Sequence, residues 1–210
     1  MLKEPGVRKL LEPFQLDLSS SQINQLLNYL DLLLHWNRKI NLTAIRTEEE
    51  CVTRHFGESL YIARWVQLQG NLLDIGSGAG FPGLALRIAF PDLITTLLEP
   101  VGKKRAFLKE VTRLCGISSV DVRPERLEEF THQSPGATFD TITARAVGHF
   151  KLLLPQAISV LKPEGRILLW IGHNQGQLVR DASELVRWIE PITIPGGRER
   201  EIYVGARRRA

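Results

Sequence analysis

The stretch "LLDIGSGAGFPG" at residues 72–83 decides how the chain folds. It begins with an apolar run, Leu72 to Ile75, that is typical of a short buried strand, and the next eight residues contain four glycines and one proline. Glycine adopts backbone conformations that other residues avoid and lets a ligand approach the backbone. Pro82 stands where the first turn of a helix tolerates proline. We therefore expect a strand, a ligand-binding turn and a helix.

After residue 70 the chain alternates between short apolar runs and helical stretches. The predicted strands are 72–75, 94–98, 119–122, 141–144 and 166–171, and the predicted helices are 82–90, 102–115, 124–130, 150–161 and 175–189. Buried strands that alternate with helices are typical of a doubly wound, mostly parallel sheet covered on both faces. The pattern predicts an α/β domain over residues 71–210.

The first 70 residues lack this alternation and are expected to be helical. Between Ser19 and Trp36 the apolar side chains recur at the spacing of one helix face. They are Ile23, Leu26, Leu27, Leu30 and Leu34. We expect residues 1–70 to form a helical extension that packs on the α/β domain.

Length and composition exclude several classes of protein. A chain of 210 residues can form one sizeable domain. Its two cysteines, Cys51 and Cys115, lie outside any CxxC or Cys/His cluster, so neither a disulfide framework nor a zinc site is expected. The N-terminus lacks the apolar centre of a signal peptide, and no run approaches the roughly 20 apolar residues of a membrane span. We expect a cytoplasmic protein with no metal and no membrane contact.

Excess positive charge is concentrated at the C-terminus. The net charge is +4, and the last fifteen residues contain five arginines and two glutamates. A basic tail suits a polyanion such as nucleic acid, although a solvated end that aids solubility has the same composition.

Glycine-rich turns after a strand bind nucleotide phosphates, dinucleotides or S-adenosylmethionine (AdoMet). A phosphate-binding P-loop is excluded because no Lys-Ser or Lys-Thr follows a glycine. The dinucleotide fingerprint GxGxxG is matched literally from Gly78 to Gly83. However, the glycine directly after the strand is Gly76, and counting from it puts Phe81 in the third place. A bulky ring there would hold the helix and the strand apart.

Two acidic residues bear on the choice between the remaining ligands. Glu99, at the end of the second predicted strand, suits the ribose diol of either ligand, because its two oxygens accept charge-assisted hydrogen bonds. Asp74 lies inside the strand directly before Gly76, Gly78 and Gly80. This is the AdoMet pattern, since AdoMet has no pyrophosphate but carries an α-ammonium that an acidic floor can receive. The turn therefore favours AdoMet, with S-adenosylhomocysteine as product and no metal.

Six blocks of sequence resemble the bacterial ribosomal RNA small subunit methyltransferase G family (RsmG, also GidB). They are "LLHWNRKINLTAIR" (33–46), "RHFGES" (54–59), "LLDIGSGAGFPGLAL" (72–86), "GKKRAFLKEV" (102–111), "RLEEF" (126–130) and "TARAV" (143–147). The resemblance implies a Rossmann-like, class I AdoMet-dependent methyltransferase fold with a seven-stranded sheet. It also implies methylation of N7 of one guanine in 16S rRNA, as naked RNA or in the small subunit. We expect the protein to act as a monomer.

The resemblance implies AdoMet contacts at Gly76, Phe81, the Leu127-Glu128 pair and Arg145. Leu127 would cover an adenine face and Glu128 would meet the exocyclic amine, whereas Arg145 is also a candidate electrostatic or positioning residue for the reaction. No general base is predicted, because guanine N7 carries a free lone pair. Five residues of the helical extension are expected to pack over the glycine turn or border the guanine site. They are Trp36, Asn37, Asn41, Arg54 and His55.

Basic residues are the expected RNA contacts. They are Lys103, Lys104, Arg105, Arg198, Arg200, Arg207, Arg208 and Arg209. The chain also departs from the family pattern at two places, with Ile171 where a lysine usually precedes Gly172 and with Glu201 where a histidine usually follows Arg200. Both departures lie in the half expected to meet the substrate.

Two other functions stay open at this point. One is an AdoMet-binding RNA chaperone or ribosome assembly factor without activity, which the departures at Ile171 and Glu201 keep open. The other is an NAD(P)-dependent oxidoreductase, which the register of the glycines and the lack of room for a separate substrate domain disfavour.

Overall fold

The computed structural model describes residues 2–134, 136, 138–197 and 199–208. The chain begins with α1 (Glu4–Leu11), a 3-10 turn (Glu12–Phe14) and α2 (Ser20–Asn37). The Ser19 side chain and the Gln22 side chain form a capping box that starts α2. The predicted stripe is confirmed, with Ile23, Leu26 and Leu30 buried and the other two leucines half-buried.

A second helical part runs from residue 48 to residue 64, and we call it helical segment 48–64. It consists of α3 (Glu48–Glu50), a π-helical stretch (Cys51–Gly57), α4 (Glu58–Leu60) and a 3-10 turn (Tyr61–Arg64). π-helical turns are rare and occur frequently at functional sites.

The rest of the chain forms one mixed sheet. Its strands are β1 (Asn71–Ile75), β2 (Ile94–Leu98), β3 (Val120–Arg123), β4 (Phe139–Arg145), β5 (Leu161–Gly172), β6 (Val186–Trp188), β7 (Ile192–Thr193) and β8 (Arg200–Arg207). The order is β3-β2-β1-β4-β5-β8-β6, and β7 also pairs with β8. The first five strands are parallel, and β8 runs antiparallel to β5. Among the described residues the sheet has eight strands and not the seven predicted, because β6 and β7 are two short strands that pair with different parts of β8.

Within the described ranges, five further helices lie between and after the parallel strands. They are α5 (Gly83–Ala89), α6 (Gly102–Leu114), α7 (Leu127–Gln133), α8 (Phe150–Val160) and α9 (Gly176–Arg180). The helix predicted over 175–189 is wrong beyond Arg180, because Val186–Trp188 pairs with β8 as a strand. Trp188 packs edge-on against Tyr203 of β8, with ring centroids 6.1 Å apart.

Both faces of the sheet are covered by apolar packing. Leu72 and Leu97 face a cluster that contains the N-terminal helices, α5 and α6. Leu73 and Leu98 face a second cluster that contains α7 and α8. In the part of the chain that the structure describes, no helix has the length and apolar character needed to span a membrane. The carboxyl ends of the parallel strands remain as the edge where a ligand can reach the backbone.

Candidate functional site

The glycine turn follows β1 at the carboxyl edge of the sheet. Gly76, Gly78 and Gly80 have φ angles of +68°, +58° and +91°, which strain any residue with a side chain. The Ser77 backbone N–H donates to Leu98 O at 2.9 Å, which ties the turn to the end of β2. The turn is therefore held in place by its neighbouring strand.

The glycines of the turn serve two different purposes. A Cβ atom at Gly80 would collide with the Tyr29 hydroxyl, and one at Gly83 would collide with the Asp74 side chain. By contrast, nothing lies within 4 Å of a Cβ placed at Gly76, and the nearest atom at Gly78 is Gly76 O at 3.8 Å. Gly80 and Gly83 are thus required for packing, whereas Gly76 and Gly78 border open space.

The expectation that a ring at position 81 would hold the helix and the strand apart is wrong. Gly83, the third glycine of the literal dinucleotide match, is the residue that lets α5 pack against β1. The Phe81 ring does not separate them, because it points into the helical extension. It stacks between Tyr29 and His55 at centroid distances of 5.3 Å and 4.7 Å. The glycine spacing alone therefore does not exclude a dinucleotide.

Glu99 lies beside the open part of the turn. Its Oε2 accepts a hydrogen bond from the Gly78 backbone N–H at 2.8 Å, and its Oε1 accepts one from Val101 N–H at 2.8 Å. The residue is buried, but each carboxylate oxygen can accept a further hydrogen bond. The carboxylate is thus fixed next to Gly78, where the ribose contact is predicted.

Asp74 lies beneath the turn and has no exposed surface. Its Oδ1 accepts a hydrogen bond from the Thr143 hydroxyl at 2.6 Å, whereas Oδ2 is buried and accepts no hydrogen bond from the residues that the structure describes. Burial raises the pKa of this carboxyl to about 6, although the Thr143 hydrogen bond opposes the shift. The side chain supports the turn from below and is not on the open side, where the α-ammonium contact was predicted.

The start of α7 comes to the same edge. Leu127 is buried in one cluster with Ile75 and Leu98, the last residues of β1 and β2. Glu128, the next residue, is exposed. The structure thus brings Leu127 and Glu128 to the strand ends that carry Gly76 and Glu99.

Arg145, the last residue of β4, is bound to helical segment 48–64. Its Nη2 donates to Glu58 Oε2 at 2.8 Å and to Arg54 O at 2.7 Å, and its Nη1 donates to Ser59 Oγ at 3.1 Å. Burial lowers the pKa of the guanidinium, and Glu58 opposes this shift. Arg145 is therefore at the carboxyl edge, as expected, but several of its N–H groups are already used.

Sequence reasoning missed Glu58, which links Arg145 to Arg200. Its other oxygen, Oε1, accepts a hydrogen bond from Arg200 Nη2 at 2.6 Å, and its backbone carbonyl accepts one from Trp170 Nε1 at 2.7 Å. Burial raises the pKa of Glu58, although the surrounding arginines oppose the shift. The detectable signal was one carboxylate within the otherwise uncharged stretch "FGESLYI" at residues 56–62.

The two departures from the family pattern are neighbours in the structure. Ile171 of β5 and Glu201 of β8 are register partners, and both are buried. Glu201 Oε1 lies 3.0 Å from His173 Nδ1, and its Oε2 is buried without a hydrogen-bond partner. The departures are therefore one local feature of the β5–β8 pair.

The helical extension packs over the glycine turn through His55. The His55 ring stacks on Phe81, and its Nε2 lies 2.8 Å from Thr43 Oγ1. Burial lowers the pKa of His55 to about 3. Trp36 instead contacts Phe107. The other three residues lie at the loop after α2 or on the surface. Asn37 hydrogen-bonds within the loop that follows α2, and Asn41 and Arg54 are exposed.

The predicted RNA contacts divide between two edges of the sheet. Lys103 is exposed and Lys104 half-buried at the start of α6, and Arg105 Nη1 donates to Glu99 O at 3.0 Å. Arg207 and Arg208 are exposed at the opposite edge, roughly 20 Å from Arg200 along β8. The predictions for Arg198 and Arg209 lie outside the described residues. Within the described ranges, no group of three His, Cys, Asp or Glu residues is arranged to hold a metal ion.

Comparison with solved structures shows the fold. The chain is similar to ribosomal protein L11 methylase from Lactobacillus delbrueckii subsp. bulgaricus, with a TM-score of 0.61, 17% identity and coverage of 74% of this chain and 79% of that chain. It is also similar to P. horikoshii TYW2, solved in complex with MeSAdo, with a TM-score of 0.55, 16% identity and coverage of 70% and 60%. The predicted class I methyltransferase fold is confirmed.

Comparison of sequences gives closer matches. A relative from Chloroflexus aggregans is 38% identical over 89% of this chain and 82% of its own length, and one from Xylella fastidiosa is 43% identical over 86% and 84%. Both are named ribosomal RNA small subunit methyltransferase G. The family model GidB, described as rRNA small subunit methyltransferase G, matches residues 22–198. The chain therefore belongs to the GidB family of rRNA small subunit methyltransferases.

Proposed function

We propose that this chain transfers the methyl group of AdoMet to N7 of one guanine in 16S rRNA and releases S-adenosylhomocysteine. The observation that carries the proposal is the open space at the backbone of Gly76 and Gly78, beside Glu99, in a chain that matches the GidB family over residues 22–198. The reaction is proposed to take place in the cytoplasm, with the protein acting as a monomer in which residues 1–70 form a helical extension on residues 71–210.

The proposed cofactor site lies over the ends of β1, β2 and β4. The backbone from Gly76 to Phe81 would lie along the cofactor, Glu99 would accept hydrogen bonds from the ribose hydroxyls, and Leu127 and Glu128 would border the adenine. When bound, AdoMet supplies an electrophilic methyl group on a sulfonium. Asp74 would act from below by holding the turn, since its carboxylate bonds Thr143 of β4.

The acceptor needs to be positioned and not deprotonated. Guanine N7 has a free lone pair, so the protein's task is to hold N7 and the methyl group about 3 to 3.5 Å apart and in line. Arg145 lies at the end of β4, beside the proposed cofactor site, and is the proposed electrostatic or positioning residue for the transfer. Because N7 lies in the deep groove of A-form RNA, the target is proposed to be an unpaired guanine.

The proposed phosphate contacts begin beside the cofactor. Lys103 and Lys104 lie next to Glu99 at the start of α6, with Arg105 beside them and Arg200 across the site. Arg207 and Arg208 would contact RNA that extends to the opposite edge of the sheet. Binding that depends on such contacts weakens steeply as salt rises.

A labelling experiment tests the proposal. The protein is given AdoMet with a labelled methyl group, together with naked 16S rRNA, with small subunits or with no RNA, and N7-methylguanine is detected by chemical cleavage. The expected result is label at one guanine in one of the RNA samples. Bound AdoMet with no labelled RNA would support an assembly factor without activity. Binding of NADH in place of AdoMet would support an oxidoreductase.

A further inference from the structure

Glu58 joins three elements of the fold through its carboxylate. The side chain is 3% exposed, and it accepts hydrogen bonds from Arg145 at the end of β4 and from Arg200 at the start of β8. The two arginines are thus held against helical segment 48–64 by one buried acid. We call Arg54, Arg145, Arg200 and Glu58 the arginine cluster.

The arginine cluster carries more positive than negative charge. Arg54, which is exposed, acts electrostatically on both Glu58 and Arg145. In the part of the chain that the structure describes, the charges that act on Arg145 are the carboxylate of Glu58 and the guanidinium groups of Arg200 and Arg54. Three cations thus surround one anion. Arg145 and Arg200 are partly buried and share one carboxylate, so a further anion bound beside them would offset part of the cost of burying their charges.

The arginines also have donors to spare. A guanidinium group has five N–H donors, and among the described residues Arg200 donates from one terminal nitrogen, toward Glu58. Its Nε is buried, and no described residue accepts a hydrogen bond from it. The side chains of Arg145 and Arg200 are 17% and 32% exposed, so a ligand can approach them from solvent.

We propose that the arginine cluster is a binding site for an oxyanion and that Glu58 is the positioning residue that sets the direction of its guanidinium groups. Planar guanidinium groups bind phosphate and carboxylate with paired hydrogen bonds. The inference rests on the proposed function, and it takes the oxyanion to be a phosphodiester of the RNA next to the target guanine.

Single variants of the cluster test the phosphodiester as its ligand. Arg54→Gln and Arg200→Gln each remove one cation, and Arg187→Gln removes an exposed cation on β6 as the matched control. We expect RNA binding to weaken about tenfold and the slope of log K against log salt to fall by about 0.7 to 0.9 per contact. A Kd for AdoMet that rises about tenfold with an unchanged RNA slope would overturn the phosphodiester as the ligand of the cluster. Variants that match Arg187→Gln in both measurements would overturn the site.

The role of Glu58 needs a readout that loss of stability does not move. Glu58→Asp keeps the charge and Glu58→Gln keeps the length, and both are compared by circular dichroism at a temperature where each is folded. We expect Glu58→Asp to recover more of the affinity for the oxyanion than Glu58→Gln. Wild-type affinity in a folded Glu58→Gln would contradict the positioning role.

A measurement without RNA or AdoMet separates this inference from the proposed function. Inorganic phosphate is titrated into the wild-type chain while the arginine Nε–H resonances are followed by NMR. We expect the Arg145 and Arg200 resonances to shift and those of Arg187 to stay. Unshifted cluster resonances would overturn the site, even if methyl transfer to rRNA is found. If the cluster resonances shift but no RNA is methylated, only the proposed function fails.

Discussion

The proposed cofactor side and the proposed acceptor side of the site are built from different kinds of contact. The proposed cofactor side consists of the turn at residues 76–83, with Glu99 and Leu127 beside it. The turn itself is formed by neighbouring residues between one strand and one helix. The acceptor side consists of the arginine cluster, whose hydrogen bonds join residues 87 and 142 positions apart. A short motif therefore reveals the first, whereas only the folded chain reveals the second.

The largest expected effect on stability comes from breaking the acceptor side at Glu58. Glu58→Ala leaves two partly buried guanidinium groups without their carboxylate, and removing one partner of a buried ion pair costs about 3 to 5 kcal/mol. We expect a loss near the lower figure, because the arginines keep some contact with water. Urea unfolding measures it.

The matched control is Glu110→Ala, which breaks the exposed ion pair with Arg113 on α6. We expect this variant to lose less than about 1 kcal/mol. Equal losses for the two glutamates would show that the acceptor side has no special dependence on Glu58.

The second prediction concerns the buried acid beneath the cofactor side. The pKa of Asp74 is about 6 in the folded chain and 3.8 in the unfolded reference. The raised folded value means that its contribution to stability is full below pH 3.8 and is lost as pH rises through 6. The loss amounts to about 3 kcal/mol as an upper estimate. Asp74→Asn keeps an acceptor for Thr143 and should flatten this pH dependence. An unchanged profile in urea unfolding from pH 4 to pH 7 would contradict the assignment.

The third prediction tests whether the turn contains two kinds of glycine, those required for packing and those that border open space. Gly83→Ala places a methyl group against Asp74, and overpacking of this kind costs about 1 to 3 kcal/mol. Gly102 also begins a helix, but the nearest atom to its Cβ position is Arg105 Nη2 at 3.7 Å. Gly102→Ala should be neutral or slightly stabilising in thermal melting. A neutral Gly83→Ala would remove the argument that this glycine is needed for packing.

The smallest expected effect is at the far edge of the sheet. Replacing Lys103 and Lys104 with Gln should weaken binding of both short and long RNA, because they lie beside Glu99. Replacing Arg207 and Arg208 with Gln should weaken only RNA long enough to reach the opposite edge, roughly 20 Å away. Binding of a short target hairpin and of full-length 16S rRNA is compared at one salt concentration. A loss on the hairpin from the second pair would contradict the placement.

Much of the fold could be predicted because its signals are local. The five parallel strands, the stripe of α2 and the turn after β1 all follow from apolar spacing, glycine and proline. The last three strands were not located, and Val186–Trp188 was assigned to a helix, because their pairing with β8 depends on contacts across the sheet. The position of Asp74 beneath the turn and the hydrogen bonds of Glu58 with Arg145 and Arg200 were missed for the same reason. A side chain's direction is set by tertiary packing and not by its neighbours in sequence.

The most direct test of the central claim compares two glycines in the methyl-transfer assay. Gly76 and Gly116 both have positive φ angles, +68° and +62°, and neither has an atom within 4 Å of its Cβ position. Gly76→Ala and Gly116→Ala therefore carry similar backbone strain, but only Gly76 borders the proposed AdoMet site. We expect Gly116→Ala to bind AdoMet and methylate guanine N7 like the wild type, and Gly76→Ala to bind AdoMet at least about tenfold more weakly. Equal AdoMet affinity and an equal yield of N7-methylguanine for the two variants would contradict a cofactor site at Gly76 and Gly78.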